Sequence, residues 1–95
     1  MILEVATLDV RPDTGADFRQ AFSKAEPILA SMAGYERHEI RRCIERRDRY
    51  LLLVWWTDLE SHTVGFRQSP EYQEWRALLH HFYDPFPTVE HYEAL

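Results

Sequence analysis

Along this chain the spacing of apolar residues changes several times, and each change marks an element. Tyr50-Leu51-Leu52-Leu53-Val54-Trp55-Trp56 is apolar throughout. At the two-residue period of a strand it places Tyr50, Leu52, Val54 and Trp56 on one face and Leu51, Leu53 and Trp55 on the other, so both faces avoid water. Its aromatic and branched content, with the polar stop at Thr57-Asp58, predicts a strand rather than a short buried helix. Ile2 to Val10 shows a similar pattern, with Ile2, Ala6, Leu8 and Val10 opposite Leu3, Val5 and Thr7, and ends at Arg11-Pro12-Asp13-Thr14-Gly15. From Ala16 to Met32 the period becomes helical. Phe18, Ala21, Phe22, Ala25, Ile28, Leu29 and Met32 form one stripe, Pro27 is expected to bend or divide the helix, and Gly34 to stop it.

Tyr35 to Arg46 is heavily charged, with Ile40 and Ile44 on one side, which suits a strand near the sheet edge. Arg47-Asp48 then reads as a tight turn into the Tyr50 strand. Asp58 is a candidate cap for a short helix to about Gln68, with Leu59, His62, Thr63 and Phe66 on one side. Ser69 and Pro70 suit the cap and first turn of another helix, lined by Tyr72, Trp75, Arg76, Leu79, Phe82 and Tyr83. Asp84-Pro85-Phe86-Pro87 ends it, and Thr88 to Leu95 is a last short strand.

Strand, helix, strand, strand, helix pair, strand is the order of an α+β, ferredoxin-like split β-α-β sandwich. The right-handed crossover leaves a gap between the first two strands that the third fills, giving a four-stranded antiparallel sheet with its helices on one face. The opposite face, with Leu3, Val5, Leu51, Leu53 and Trp55, then lacks cover within the chain. A second copy packed sheet to sheet would supply it, so a homodimer through that face is expected.

Length and charge narrow the picture. At 95 residues the chain is expected to form one domain, residues 1–95, burying roughly two thirds of its unfolded surface. Its 16 acidic and 11 basic residues leave a net charge of -5, which disfavours a nucleic-acid partner. Six of the ten arginines fall between Arg37 and Arg49, but Glu36, Glu39, Glu45 and Asp48 are interleaved with them, as on a solvated strand surface. Cys43 is the only cysteine, and no apolar run reaches membrane length, so a soluble cytoplasmic protein with no membrane partner is the expectation.

Tyr35-Glu36-Arg37-His38-Glu39, the Tyr50 to Trp56 strand and above all His62-Thr63-Val64-Gly65-Phe66-Arg67-Gln68-Ser69-Pro70-Glu71-Tyr72 resemble the antibiotic biosynthesis monooxygenase family. The resemblance reaches the closing Phe86-Pro87-Thr88-Val89-Glu90-His91-Tyr92. It implies a dimeric α+β barrel and, in some members, oxidation of polyketide aromatics or quinols without a cofactor. Haem-degrading members carry an Asn, a Trp and a ligating His at the places held here by Ala6, Phe66 and Arg76, so the resemblance does not extend to haem degradation.

The residues add little motif chemistry. There is no phosphate loop or metal-spaced cluster; His80 and His81, adjacent on a helix, point about 100 degrees apart and cannot share an ion. Oxidation of a phenol by oxygen needs a dry aromatic pocket, a proton acceptor and a donor for the ionised oxygen. Phe22, Phe66, Tyr72, Trp75, Leu79 and Phe82 are candidates to line a pocket for a small aromatic substrate, or to be simple core. His62 is the first candidate base and His81 the second; each could instead be a histidine bonded to a backbone carbonyl. Tyr72, Trp75 and Arg76 are candidate donors, Arg76 having Tyr72 or Glu71 as alternative partners. The expectation is a cofactor-free monooxygenase; the alternative is a small-molecule-binding or stress-related accessory protein without catalysis.

Overall fold

The computed structural model describes residues 1–95. Four strands, β1 (Ile2–Asp9), β2 (Tyr35–Arg42), β3 (Arg49–Trp56) and β4 (Val89–Glu93), form one sheet in the order β2-β3-β1-β4. Every neighbouring pair is antiparallel. Helix α1 (Gly15–Ala30) joins β1 to β2, and a wide helical turn (Ser61–Phe66), α2 (Pro70–Leu79) and a 3-10 turn (His80–Phe82) join β3 to β4. This is the expected ferredoxin-like sandwich, with β3 central between β1 and β2.

The two-residue period decides which side chains meet the helices. Glu4, Ala6, Leu8 and Val10, and across from them Tyr50, Leu52, Val54 and Trp56, are all buried. Phe18, Phe22, Ala25 and Leu29 of α1, with Trp75 and Leu79 of α2, close over them. Phe18 is the hub of the end nearest the α1 start, its ring centroid 4.9 Å from Tyr50 and 5.7 Å from Phe82. On the other side of the sheet Leu3, Val5, Thr7, Leu51, Leu53 and Trp55 are only half-buried. The Arg37 guanidinium lies 3.6 Å above the Trp55 ring.

Several boundaries differ from those expected. α1 runs through Pro27 without a break: the proline is on the exposed side, where the Ser23 carbonyl it frees can face solvent, and Ser31 still bonds the Pro27 carbonyl at 3.1 Å. β2 stops at Arg42, not Arg46. Beyond it Ile44 is 89% exposed, so its spacing from Ile40 does not reflect a shared buried face. The connection to β3 is accordingly longer than a tight Arg47-Asp48 turn. α1 stops at Ala30, capped at Ser31, rather than at Gly34, which lies beyond it in the turn into β2 at φ 84°, where a side chain would be strained and would overlap Ser61.

Candidate functional site

Asp58 caps the turn after β3 as expected, its carboxylate accepting from the Ser61 amide at 2.8 Å. The turn itself is wider than an α-helix: the Arg67 amide bonds the His62 carbonyl, five residues back, at 3.0 Å. Such π-type turns shift side chains around the axis and recur at functional sites. Here the widening puts His62 and Phe66 against the sheet, while Leu59 stays 39% exposed. Ser69 caps α2 through the Tyr72 amide at 3.1 Å, and Pro70 occupies the first turn. That fixes Tyr72 and Trp75 on the same side as Phe66, with ring centroids 5.2 and 5.7 Å from it.

Between these rings and the sheet is a cavity of about 370 Å³, a size suited to a small ligand. His62, Phe66, Arg67, Tyr72 and Trp75 form one wall; Glu4, Ala6, Leu8, Leu52 and Val54 form the sheet floor; His80, Tyr83, Phe86 and Pro87 surround the remainder. Of the candidates named from sequence, His62, Phe66, Tyr72 and Trp75 come together here. Phe22, Leu79 and Phe82 are buried in the core beside the cavity rather than on its surface. Arg76 is exposed and outside the lining, and the unpaired guanidinium near the pocket is that of Arg67. His81 is exposed and packs on Phe82, whereas His80 faces Tyr72 and Phe86 at the cavity.

The chemistry-bearing group that sequence reasoning passed over is Glu4, only 7% exposed on the helix-facing side of β1. Its Oε1 accepts from the Trp56 indole at 2.9 Å and lies 3.3 Å from His62 Nε2. His62 Nδ1 is 2.8 Å from Nε2 of His91, which the sheet register sets directly across from Glu4 on β4. The His62 ring is also stacked on Trp56, centroids 5.5 Å apart at 21°. A carboxyl, a buried imidazole and a half-buried imidazole thus lie in a row, the first pair in 3.3 Å contact and the second hydrogen-bonded at 2.8 Å.

Burial governs the charges in this chain. Loss of water pushes the Glu4 carboxyl up from 4.5 to about 7, against the opposing effects of the Trp56 hydrogen bond and the Arg67 charge. Burial first, then Arg67 and His91, pulls His62 from 6.5 down to about 3. Although within ion-pair distance of Glu4, His62 is therefore a neutral ring at physiological pH. His91 is lowered by burial and Arg67, and His80 by burial and Arg76. The Tyr83 hydroxyl is raised by burial and by Tyr72, so it stays a neutral donor. No group of three or more His, Cys, Asp or Glu side chains is arranged to hold a metal ion.

The sequence signature of the antibiotic biosynthesis monooxygenases matches residues 1–78. The chain belongs to that family. It is 52% identical to the uncharacterized Bacillus subtilis protein YczJ over 93 residues, covering 98% of each chain. A crystal structure of a Bordetella bronchiseptica protein named for the same family is 35% identical and superposes with a TM-score of 0.94, over 99% of this chain and 96% of that one. SnoaB, a cofactor-independent oxygenase from Streptomyces nogalater, shares the fold with a TM-score of 0.65 at 23% identity, over 99% of this chain and 92% of its own. No helix in the structure is long and apolar enough to cross a membrane.

Proposed function

We propose that the chain is a cofactor-independent monooxygenase acting on a small planar phenol, anthrone or quinol. The observation that carries this reading is that buried Glu4 and His62 line an aromatic cavity, with His91 hydrogen-bonded behind His62. Family membership supports it, and SnoaB is an oxygenase of this kind on the same fold. A flat ring is held between the wall of Phe66, Tyr72 and Trp75 and the sheet floor, and the chain through His62 removes its hydroxyl proton. Arg67, Tyr72 and Trp75 are the donors placed to hold the resulting oxyanion.

Once ionised, the electron-rich ring can reduce oxygen itself. A ring CH₂ and O₂ become a ring C=O and water, so one oxygen atom enters the product, the other leaves as water, and no outside reductant is needed. The largely apolar lining limits reprotonation of the anion by bulk water. We further propose that the chain works as a homodimer through the open sheet face. Leu3, Val5, Leu51, Leu53 and Trp55 would be its apolar centre, and the alternating Arg37, Glu39 and Arg41 of β2 a rim that can pair with its symmetry copy.

The test is oxygen uptake by the metal- and flavin-free protein against a panel of anthrones and hydroquinones. Uptake with labelled oxygen in the product and no peroxide released is the expected result. Binding without uptake across the panel would replace the oxygenase with a non-catalytic small-molecule-binding protein on the same scaffold.

A further inference from the structure

We propose that Glu4 is the group that accepts the substrate's hydroxyl proton, and that His62 and His91 are the path by which this proton reaches solvent. The nature of the substrate rests on the oxygenase reading, but the proton's route rests on the geometry of three side chains.

The nearest protein contacts of Glu4 are made by Oε1, a hydrogen bond from Trp56 and the approach to His62. Its Oε2 has no protein partner, and no side-chain polar atom in the structure is both fully buried and unpaired. Oε2 therefore keeps access to the cavity that Glu4 lines. A substrate hydroxyl resting on the sheet floor meets this oxygen.

Charge decides between Glu4 and His62 as the acceptor. The groups facing them are Trp56 from β3, His91 from β4 and the Arg67 guanidinium from the end of the wide turn. A proton taken up by Glu4 removes a buried negative charge. The same proton on His62 would create a buried cation close to Arg67 and His91, which desolvation and like-charge repulsion both oppose. The directions in which burial moves the two groups, Glu4 up and His62 down, agree with that assignment.

The outward path runs along the same three side chains. The substrate O–H bond breaks and an O–H bond forms at Glu4. The protonated carboxyl then turns to bring its new O–H from the cavity side toward His62, and the proton passes to Nε2 across a gap, 3.3 Å from Oε1 in this structure, that must close to hydrogen-bond length as catalytic hydrogen bonds do when a ligand binds. His62 releases its Nδ1 proton to His91 Nε2, 2.8 Å away, and half-buried His91 gives up its other ring proton to water. The imidazoles never carry more than a passing charge, and the rings reset by exchanging tautomers.

The test uses a monohydroxyanthraquinone, a coloured phenol that is already oxidised and cannot turn over. With the wild-type protein the bound dye should show the absorbance of its anion at a pH where free dye is neutral. Glu4→Gln, which keeps an oxygen for the Trp56 indole, should still bind the dye, more weakly, but leave it neutral. After a jump from acid to alkaline pH, His91→Ala should ionise bound dye about tenfold or more slowly, and added imidazole should restore the rate, which no purely structural role would allow. Ionisation by Glu4→Gln equal to wild type would overturn Glu4 as acceptor while leaving the oxygenase reading in place. An unslowed His91→Ala would overturn the path. Glu4-dependent dye ionisation without oxygen uptake on any panel substrate would instead sink the oxygenase reading and keep the proton chain.

Discussion

Replacing Glu4 by Gln should make the protein more stable, and by an amount that depends on pH. The carboxyl titrates near 4.5 when unfolded and at about 7 when buried, a span of about 2.5 pH units. A folded-state value above the unfolded one means that the folded chain holds the proton more tightly. The contribution to stability is thus complete below about pH 4.5 and is lost as pH rises through 7. At 1.36 kcal/mol per unit, the ionised side chain costs the wild type about 3 kcal/mol at about pH 8. The amide carries no charge and can still accept from Trp56 Nε1, so Glu4→Gln recovers most of that cost. In a domain of this size about 3 kcal/mol corresponds to a rise in Tm of roughly 12 °C or more.

At about pH 4, where the wild-type carboxyl is protonated in both states, the gain should vanish. His62 supplies an internal control. Its folded value of about 3 lies below the unfolded 6.5, so its contribution is present above 6.5 and is lost as pH falls. Between about 6.5 and 4.5 Glu4 opposes His62 and the other buried histidines, so as pH falls Glu4→Gln should lose about 1.4 kcal/mol per unit more than the wild type. Urea titrations of both proteins across this range, read by tryptophan fluorescence, measure the difference directly. A Glu4→Gln protein that is less stable than wild type at about pH 8, or equally shifted at every pH, would refute the buried-carboxyl argument. If the stabilised variant is also the inactive one, stability and catalysis are opposed at a single side chain.

Other residues give independent checks. Trp55→Asp puts a charge at the centre of the open sheet face; a shift from dimer to monomer in sedimentation velocity is expected, and an unchanged association state would mean that this face is not the interface. Gly34→Ala should destabilise by at least about 1 kcal/mol, because φ is 84° and the new methyl would meet Ser61 Cβ at 2.5 Å, next to His62; denaturation and dye binding should both change. Ser69→Ala removes both the cap on the Tyr72 amide and a 2.6 Å bond to the Phe66 carbonyl, and should lower stability by about 1 kcal/mol in urea, with weaker dye binding as Tyr72 loosens. An unmoved midpoint would show that α2 is held by its packing alone.

Alternation within the Tyr50 to Trp56 run and within β1 was enough to determine two strands with two apolar faces. The helical stripe from Phe18 to Leu29, and the Ser69-Pro70 start of α2, determined where helices cover one of those faces. Topology followed, because a right-handed crossover allows few ways to connect these elements. Part of the site was legible for the same reason: His62, Phe66, Tyr72 and Trp75 lie on stripes that must point inward. Arg76 and His81 show the limit of that reasoning. Arg76 is one position past buried Trp75 in α2, turned about 100° toward solvent, and His81 lies where the chain tightens into a 3-10 turn at His80, so both side chains are exposed.

Glu4 carried a signal of its own, as the one charged residue on the alternating inward face of β1, but periodicity says only that it is buried. Its partners depend on contacts far apart in sequence. The β1–β4 register sets His91 beside it, and the widened turn at Ser61–Phe66 swings His62 between the two. Neither register nor a π-type turn is encoded by local propensity, because both arise from fitting elements together over the core. The sequence by itself thus determined the fold and the aromatic wall, and only the tertiary structure decided which carboxyl and which imidazoles meet beside that wall.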